Sequence, residues 1–192
     1  MTQFTLHTAE TAPVGSRDEI ADTTNKFGFL PNIYAVFADS PAVIKAYKAM
    51  TNLLLNGSFS PAEQQLMLLT VSTTNDCGYC VAAHTMGGKR EGLDDLVIEA
   101  VRTGLPIPDR KMAVLHRFTK LIVENRGWVS NDDIDSFMAA GYSRQQVLEV
   151  VLAVSLKTLS NYINHFAETP LDEAFEPVRW RATQTAANAQ VA

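Results

Sequence analysis

The feature of this sequence that most constrains its fold is a recurrent helix start signal. Ser40-Pro41 and Ser60-Pro61 each place a side chain that can cap a helix before a proline that suits the first helical position. Apolar residues then recur with the 3.6-residue period of a helix, as in the segment 43–55. Segments with the alternating pattern of strands are scarce. The sequence therefore predicts an all-α, multi-helix bundle.

Similar signals divide the rest of the chain. Ser16 with Glu19 predicts a capping box for the first helix, which we expect to end near Gly28. Asp76 is predicted to cap a helix that begins with Cys77. A short segment, 33–38, leads to Ser40-Pro41. Further helices are expected over about 93–103, from 109 to about 126, after Ser130 with Asp133 in the capping-box position, and from Ser143 to Pro170.

A single domain over residues 1–181 is the simplest organisation for a chain of 192 residues. Such a length buries roughly 70% of the surface that the unfolded chain exposes. Gly104, Pro106 and Pro108 form the best candidate for an internal linker, between a region of about 28–103 and C-terminal helices of about 109–168. Residues 182–192 have little to bury and are expected to form a disordered tail.

An internal similarity suggests two related helical halves. At an offset of 81 residues, the residues Gln64, Gln65 and His84 coincide with Gln145, Gln146 and His165. Chance could also produce so few identities.

Composition and charge exclude several classes of protein. The chain is 46% hydrophobic and 19% charged, with a net charge of −5, which excludes a chain that is disordered as a whole and a basic nucleic-acid-binding module. The N-terminus lacks the pattern of a secretory signal, and the longest apolar runs fall short of the roughly 18 to 20 residues of a membrane span. We therefore expect a cytoplasmic protein with no nucleic-acid or membrane partner.

Cys77 and Cys80 are the most informative residues of the chain. In a reducing compartment, a close cysteine pair is typical of catalytic, redox or metal-binding sites rather than of permanent disulfides. His84 completes a C-x2-C-x3-H pattern at a predicted helix start, so the three side chains share one helix face. Cysteines at this spacing have Cα atoms about 5 to 6 Å apart, which permits a disulfide.

Helix geometry gives the two thiols unequal surroundings. The imidazole of His84 lies about 6 Å along the helix axis from Cys80 but about 10.5 Å from Cys77, so it can assist only Cys80 as a base. The helix dipole instead favours a thiolate at Cys77, partly opposed by Asp76. The spacing favours Cys80 as nucleophile and Cys77 as resolving partner, and leaves the reverse assignment open.

The motif DCGYCVAAH, preceded by SPAEQQLMLLTVSTTN and FGFLPNIYAVFADSPAVIKAYKAM, resembles the alkyl hydroperoxidase D (AhpD)-like branch of the carboxymuconolactone decarboxylase superfamily. The likeness covers about residues 28–103 and extends weakly through SNYINHFAETPLD. It implies a helical homo-oligomer with thiol peroxidase or disulfide reductase activity and no metal or organic cofactor. It also implies that Cys80 attacks the peroxide, Cys77 resolves it and His84 belongs to a proton relay.

One position departs from the pattern of that family. The resemblance places a relay glutamate twelve residues before the first cysteine, where this sequence has Gln65. A glutamine can hold a hydrogen bond but cannot take or release a proton, so the relay is incomplete. Glu63 lies about 200° round the helix from Gln65 and should face elsewhere.

Two further side chains are candidates for a relay or for the lining of the site. Tyr79, between the cysteines, could donate a hydrogen bond but is a poor base at neutral pH. His165, with Asn161 one turn earlier and Asn164 beside it, could line the site or belong to an ordinary buried network, and the network is favoured.

The sequence thus favours a thiol-dependent alkyl hydroperoxide peroxidase or disulfide reductase. Its partners would be a small hydroperoxide and an external dithiol or protein reductant. One alternative is the decarboxylase or lactone chemistry found elsewhere in the superfamily, which does not use this cysteine pair. Another is a non-catalytic redox-sensing or metal-binding module, with Cys77, Cys80, His84 and conceivably His165 as zinc ligands, although structural zinc pairs usually lie in turns.

Overall fold

The computed structural model of the protein describes residues 4–181, so the predicted tail of residues 182–192 lies outside the described residues. Within residues 4–181 the chain forms helices and no strands, which confirms the all-α prediction. The helices are α1 (Val14–Phe27), α2 (Asn32–Phe37), α3 (Pro41–Leu55), α4 (Pro61–Thr74), α5 (Gly78–Arg90), α6 (Asp95–Thr103), α7 (Arg110–Glu124), α8 (Asn131–Ala139), α9 (Arg144–Ala167) and a 3-10 helix (Glu173–Val178).

Serine caps start four of these helices where the sequence predicts them. Each serine side chain accepts the backbone N–H of the third residue that follows, which satisfies a donor that has no partner within the helix. Three of them also form a capping box with the side chain at that third position. The four are Ser40 before α3, Ser60 before α4, Ser130 before α8 and Ser143 before α9.

The predicted capping box at Ser16 is wrong. Helix α1 begins at Val14, directly after Pro13, so Ser16 already lies inside the helix. Its side chain is fully buried and does not cap the helix. The restricted φ of proline suits a helix start, and it sets this start two residues before the serine.

Asp76 also does not cap a helix. Its backbone adopts the left-handed conformation, with φ 54°, in the turn between α4 and α5. Cys77 takes the N-cap position instead, and the helix begins at Gly78. Aspartate is one of the few residues that tolerate a left-handed φ, so Asp76 can form the turn that precedes the N-cap residue.

The predicted pair of related halves is not a structural repeat. Gln65 and His84 lie on two different helices, α4 and α5. Their counterparts, Gln146 and His165, lie on the single helix α9. The identities at this offset therefore do not occupy equivalent positions.

Helix α4 is the central element of the fold. Its residues 63–72 are all buried, because α5, α7 and α9 pack around it. Helix α9 crosses α3 and α4 and reaches the start of α5. This crossing brings the face of α9 that carries Asn161 and Asn164 next to the cysteine motif. No helix within residues 4–181 has the length and apolarity that a membrane span requires.

Candidate active site

The turn between α4 and α5 positions the two cysteines. The backbone N–H of Cys77 donates to the carbonyl oxygen of Ser72 at 2.9 Å, which anchors the N-cap of α5 to the end of α4. Cys80 follows in the first turn of α5. Both thiols are free, and the two residues are only 2% and 1% exposed. The site is therefore a dithiol buried in the protein.

Helix α9 presents a polar stripe to these thiols. The stripe consists of Lys157, Ser160, Asn161 and Asn164, whose spacings of three, four and seven residues place them on one helix face. All four are buried. Our sequence analysis named the two asparagines and missed Lys157 and Ser160. The available signal was a lysine embedded in the apolar run VLEVVLAVSLKTL, two turns before Asn164.

Asn164 is the residue of the polar stripe that holds both sulfurs. Its side-chain N–H group lies 3.2 Å from Sγ of Cys80 and 3.7 Å from Sγ of Cys77. The hydroxyl of Thr169 donates to the amide oxygen of Asn164 at 2.7 Å. Because this bond occupies the oxygen, the amide presents its N–H side to the sulfurs. Asn164 can thus stabilise negative charge on either thiol.

The surroundings of Cys80 favour its thiolate. Burial opposes the charge, but the thiol of Cys77, the ammonium of Lys157 and the hydroxyl of Ser160 outweigh it and hold the pKa of Cys80 well below that of an ordinary thiol. The Ser160 oxygen lies 4.0 Å from the sulfur. For Cys77, its hydrogen bond to Cys80, burial and the charge of Cys80 all raise the pKa. The surroundings therefore favour the thiolate at Cys80 and the protonated thiol at Cys77.

His84 is joined to Gln65 rather than to a thiol. Its Nδ1 lies 3.0 Å from the side-chain oxygen Oε1 of Gln65. A carbonyl oxygen can only accept, so this bond assigns the proton to Nδ1 and a lone pair to Nε2. Burial and the charge of Lys157 lower the pKa of His84 well below its usual value, so the ring is neutral at pH 7. Within residues 4–181 His84 has no hydrogen bond to either sulfur.

Gly87 makes the contact between Gln65 and α5 possible. A Cβ atom at this position would lie 2.7 Å from Oε1 of Gln65, closer than real Cβ atoms approach other atoms. The glutamine therefore lies directly against the backbone of α5, one turn beyond His84. Gln65, at the position that the resemblance assigns to a relay glutamate, does contact His84. Its amide cannot exchange protons.

Tyr79 faces the C-terminal segment of the described chain. Its hydroxyl donates to Asp172, accepts the backbone N–H of Ile33 at 3.2 Å, and burial and Asp172 raise its pKa. Its ring meets Phe175 of the 3-10 helix edge-on. Tyr79 therefore ties the start of α5 to residues 172–175, and its hydroxyl takes no part in the hydrogen bonds around the sulfurs.

His165 lies outside the site, so neither the predicted lining role nor the predicted buried network holds for it. It is exposed, and its ring stacks on Tyr162. Successive helix residues are turned by about 100°, so Asn164 faces inward and its neighbour faces out. Asn161 is buried as expected and accepts a hydrogen bond from Asn75 at 3.0 Å.

The metal-binding alternative has no ligand set in the described part of the chain. Within residues 4–181 no three His, Cys, Asp or Glu side chains are placed to hold a metal ion. The fourth ligand that the sequence suggested, His165, points away from the cysteines. Chemically, the site is a buried dithiol in which the surroundings favour a thiolate at Cys80 and a protonated thiol at Cys77.

We expect Asn164→Leu to raise the pKa of Cys80 by about 1 to 2. A hydrogen bond to a charged group contributes about 1.5 to 3 kcal/mol, and one pKa unit corresponds to about 1.4 kcal/mol. Removing a donor to the thiolate favours the protonated form, so the midpoint of Cys80 alkylation should move to higher pH. The rate of iodoacetamide alkylation at Cys80, followed by mass spectrometry between about pH 4 and pH 9, measures this midpoint.

His165→Ala is the matched control for this variant. It changes the neighbouring residue on α9, which faces away from the sulfurs, and should leave the midpoint in place. An unmoved midpoint in Asn164→Leu would show that the amide does not stabilise the Cys80 thiolate.

Comparison with known protein families supports the sequence interpretation. Residues 41–115 match the Carboxymuconolactone decarboxylase family. This region runs from the start of α3 into α7 and contains both cysteines, Gln65 and His84. No curated protein has a significantly similar sequence.

Several solved structures share the fold. An AhpD-core, peroxidase-related protein from Ralstonia eutropha JMP134 is 20% identical, with a TM-score of 0.82 over 91% of this chain and 94% of its own. A peroxidase-related protein from Silicibacter sp. TM1040 is 18% identical, with a TM-score of 0.76 over 91% and 93%. The debrominase Bmp8, in a Cys-to-Ala variant bound to 2,3,4-tribromopyrrole, is 14% identical, with a TM-score of 0.69 over 92% and 95%.

The fold is that of a helical protein of the AhpD type. The match over residues 41–115 and the shared AhpD-like fold confirm the resemblance seen in the sequence.

Proposed function

We propose that the protein is a thiol-dependent alkyl hydroperoxide peroxidase that cycles Cys77 and Cys80 between dithiol and disulfide. One observation carries the proposal: two buried free thiols share the side-chain N–H group of Asn164, on a helix face whose groups favour the thiolate at Cys80. Cys80 is held as a thiolate by groups of α9, while Cys77 keeps its proton beside it. A thiolate is the nucleophilic form of cysteine, and a second thiol within reach is what a resolving cysteine requires.

The chemistry proceeds in three balanced steps. The thiolate of Cys80 attacks the terminal oxygen of a hydroperoxide, the O–O bond breaks, and the alkoxide takes a proton to leave as an alcohol. The thiol of Cys77 then attacks the sulfenic sulfur of Cys80, the S–O bond breaks, and water leaves as the disulfide forms. An external dithiol or protein reductant transfers two electrons by thiol–disulfide exchange and is itself oxidised to a disulfide.

Burial of the sulfurs fits this cycle. Cys77 and Cys80 are almost inaccessible, which favours a small hydroperoxide as the oxidant. The nearby thiol of Cys77 also protects a sulfenic acid at Cys80 from further oxidation, since condensation within the pair competes with a second peroxide. A reducing compartment, for which we propose the cytoplasm, would return the pair to the free thiols of this structure.

We also retain the homo-oligomer that the family resemblance implies as a proposal. Helix α9 carries large apolar side chains that are exposed in the single chain, and they offer a surface for such an assembly. They are Leu148, Val151, Tyr162 and Phe166.

The proposed function is tested by turnover of the wild-type protein. We expect dithiothreitol-dependent consumption of tert-butyl hydroperoxide, with one disulfide between Cys77 and Cys80 accumulating when the reductant is omitted. Peptide mapping under non-reducing conditions identifies that disulfide. A Cys77→Ser/Cys80→Ser double variant serves as the control and should be inactive. If the double variant retains activity on any substrate of the superfamily, the decarboxylase-type alternative replaces the peroxidase.

A further inference from the structure

Peroxide cleavage in this site raises a question of proton supply. When a thiolate breaks the O–O bond of an alkyl hydroperoxide, the leaving alkoxide is strongly basic and needs an acid near it. Gln65 has no proton to give as an acid. His84 is neutral, its single N–H donates to Gln65, and its Nε2 carries a lone pair. Neither group of the family's relay can therefore act as the acid in this chain.

Lys157 is the cation of this site. Its side chain is fully buried, and its Nζ has no hydrogen-bond partner within residues 4–181. It lies on the polar stripe of α9, one turn before Ser160 and two turns before Asn164, which contacts both sulfurs. Ser160 and Asn164 of the same stripe lie 4.0 and 3.2 Å from Sγ of Cys80, so Lys157 belongs to the face of α9 that meets the thiols, and its charge acts to lower the pKa of both.

The titratable groups that interact with Lys157 in the described part of the chain include uncharged side chains and the thiolate of Cys80. Tyr34 of α2 and Tyr47 of α3 are buried, and burial raises the pKa of both phenols, so they are uncharged. His84 of α5 is neutral and Cys77 is protonated. Within residues 4–181, the thiolate of Cys80 is the anionic group whose interaction with Lys157 the structure shows. A buried ion costs much free energy when it is unpaired, so the two charges stabilise each other.

We propose that Lys157 is the proton donor of the peroxidase reaction. The inference rests on the proposed function and specifies the acid that it requires. As Cys80 Sγ takes the terminal oxygen, the ammonium transfers a proton to the leaving alkoxide. A thiolate, an ammonium and a hydroperoxide thereby become a sulfenic acid, an amine and an alcohol, with no change in total charge. Oxidation removes the counter-charge of Lys157, so proton release spares the site an unpaired buried cation.

The same amine completes the cycle. When Cys77 attacks the sulfenic acid, the amine of Lys157 accepts the proton of Cys77 and returns it to the departing hydroxide, which leaves as water. When an external dithiol reduces the disulfide, one of its protons goes to Cys77 and the other to the amine, which restores the ammonium beside the Cys80 thiolate. Each step keeps the buried site electrically neutral.

Lys157→Met tests this role when two oxidants are compared. The alkoxide from tert-butyl hydroperoxide needs a proton, whereas the acetate from peracetic acid leaves without one. The ratio of the two single-turnover rate constants does not depend on the thiolate fraction of Cys80, because that fraction affects both equally. We expect this ratio to fall about 100-fold in Lys157→Met, within the usual contribution of general acid catalysis. Lys45→Met, at an exposed position of α3, should leave it unchanged.

Lys157→Arg separates charge from proton transfer. A guanidinium keeps the positive charge but does not release its proton at neutral pH, so this variant should also show the lowered ratio. Lys157→Met removes the counter-charge of Cys80, which can respond by taking up a proton, and urea denaturation measures the stability of the variant so that the rates are compared on folded protein. If both rate constants fall together and the ratio stays as in the wild type, Lys157 only stabilises the thiolate and the proposal is overturned. A wild-type protein that reacts with neither oxidant would instead overturn the proposed peroxidase function.

Discussion

Replacing Cys80 with serine is expected to lower peroxide turnover by more than about 1,000-fold, because serine cannot supply the ionised nucleophile at neutral pH. The charge of Lys157 and the N–H group of Asn164 stabilise an anion at this position, but a hydroxyl remains protonated there. The measurement is tert-butyl hydroperoxide consumption with excess dithiothreitol. The result identifies the attacking sulfur.

The remaining cysteine provides the internal control for Cys80→Ser. In this variant Cys77 loses the negative charge that raises its pKa, so Cys77 should become more reactive toward iodoacetamide. A folded variant with a reactive Cys77 and no turnover would show that reactivity alone does not replace Cys80. Turnover at the wild-type rate would refute the proposed nucleophile.

Replacing Cys77 with serine is expected to stop the cycle after one oxidation. The protein should consume one equivalent of hydroperoxide and then halt, because the sulfenic acid at Cys80 has no resolving thiol. Serine can still donate a hydrogen bond toward Cys80, so the first oxidation should remain within about tenfold of the wild-type rate constant. Rapid-quench measurement of peroxide, with dimedone labelling of the sulfenic acid, records both quantities.

The two cysteine variants together decide the roles within the pair. A burst from Cys77→Ser and no burst from Cys80→Ser supports the assignment made here. The opposite pattern would reverse it and make the N-cap cysteine the nucleophile, as the helix dipole alone would favour. Equal bursts from both would mean that either sulfur reacts with peroxide.

Local sequence signals predicted most of the helices. Ser40, Ser60, Ser130 and Ser143 cap helices because capping needs only a side chain and a backbone N–H three residues away. The same reasoning was wrong at Ser16 and at Asp76. At Ser16 the helix already begins after Pro13, and Asp76 adopts a left-handed backbone conformation in the turn before α5. At both positions the backbone conformation, rather than the capping ability of the side chain, decided where the helix begins.

Spacing along one helix also predicted part of the site. Cys77, Cys80 and His84 belong to a single helix start, and counting back twelve residues located Gln65, which does contact His84. The proposed assistance of Cys80 by His84 stays a prediction, because the hydrogen bond that the structure gives His84 is to Gln65 and not to a sulfur. The imidazole is turned toward α4 by Gln65, a contact between helices that helix periodicity does not describe.

The sequence by itself determined the all-helical fold, the family resemblance and the position of the cysteine pair, because these depend on caps, periodicity and a contiguous motif. Only the tertiary structure decided which groups surround the thiols. Lys157, Ser160 and Asn164 lie about 80 residues from the cysteines in the chain and reach them because α9 crosses α4 at the start of α5. The same crossing turns His165 to the surface. The charge balance of the site therefore follows from helix packing, which brings a buried cation to a buried thiol.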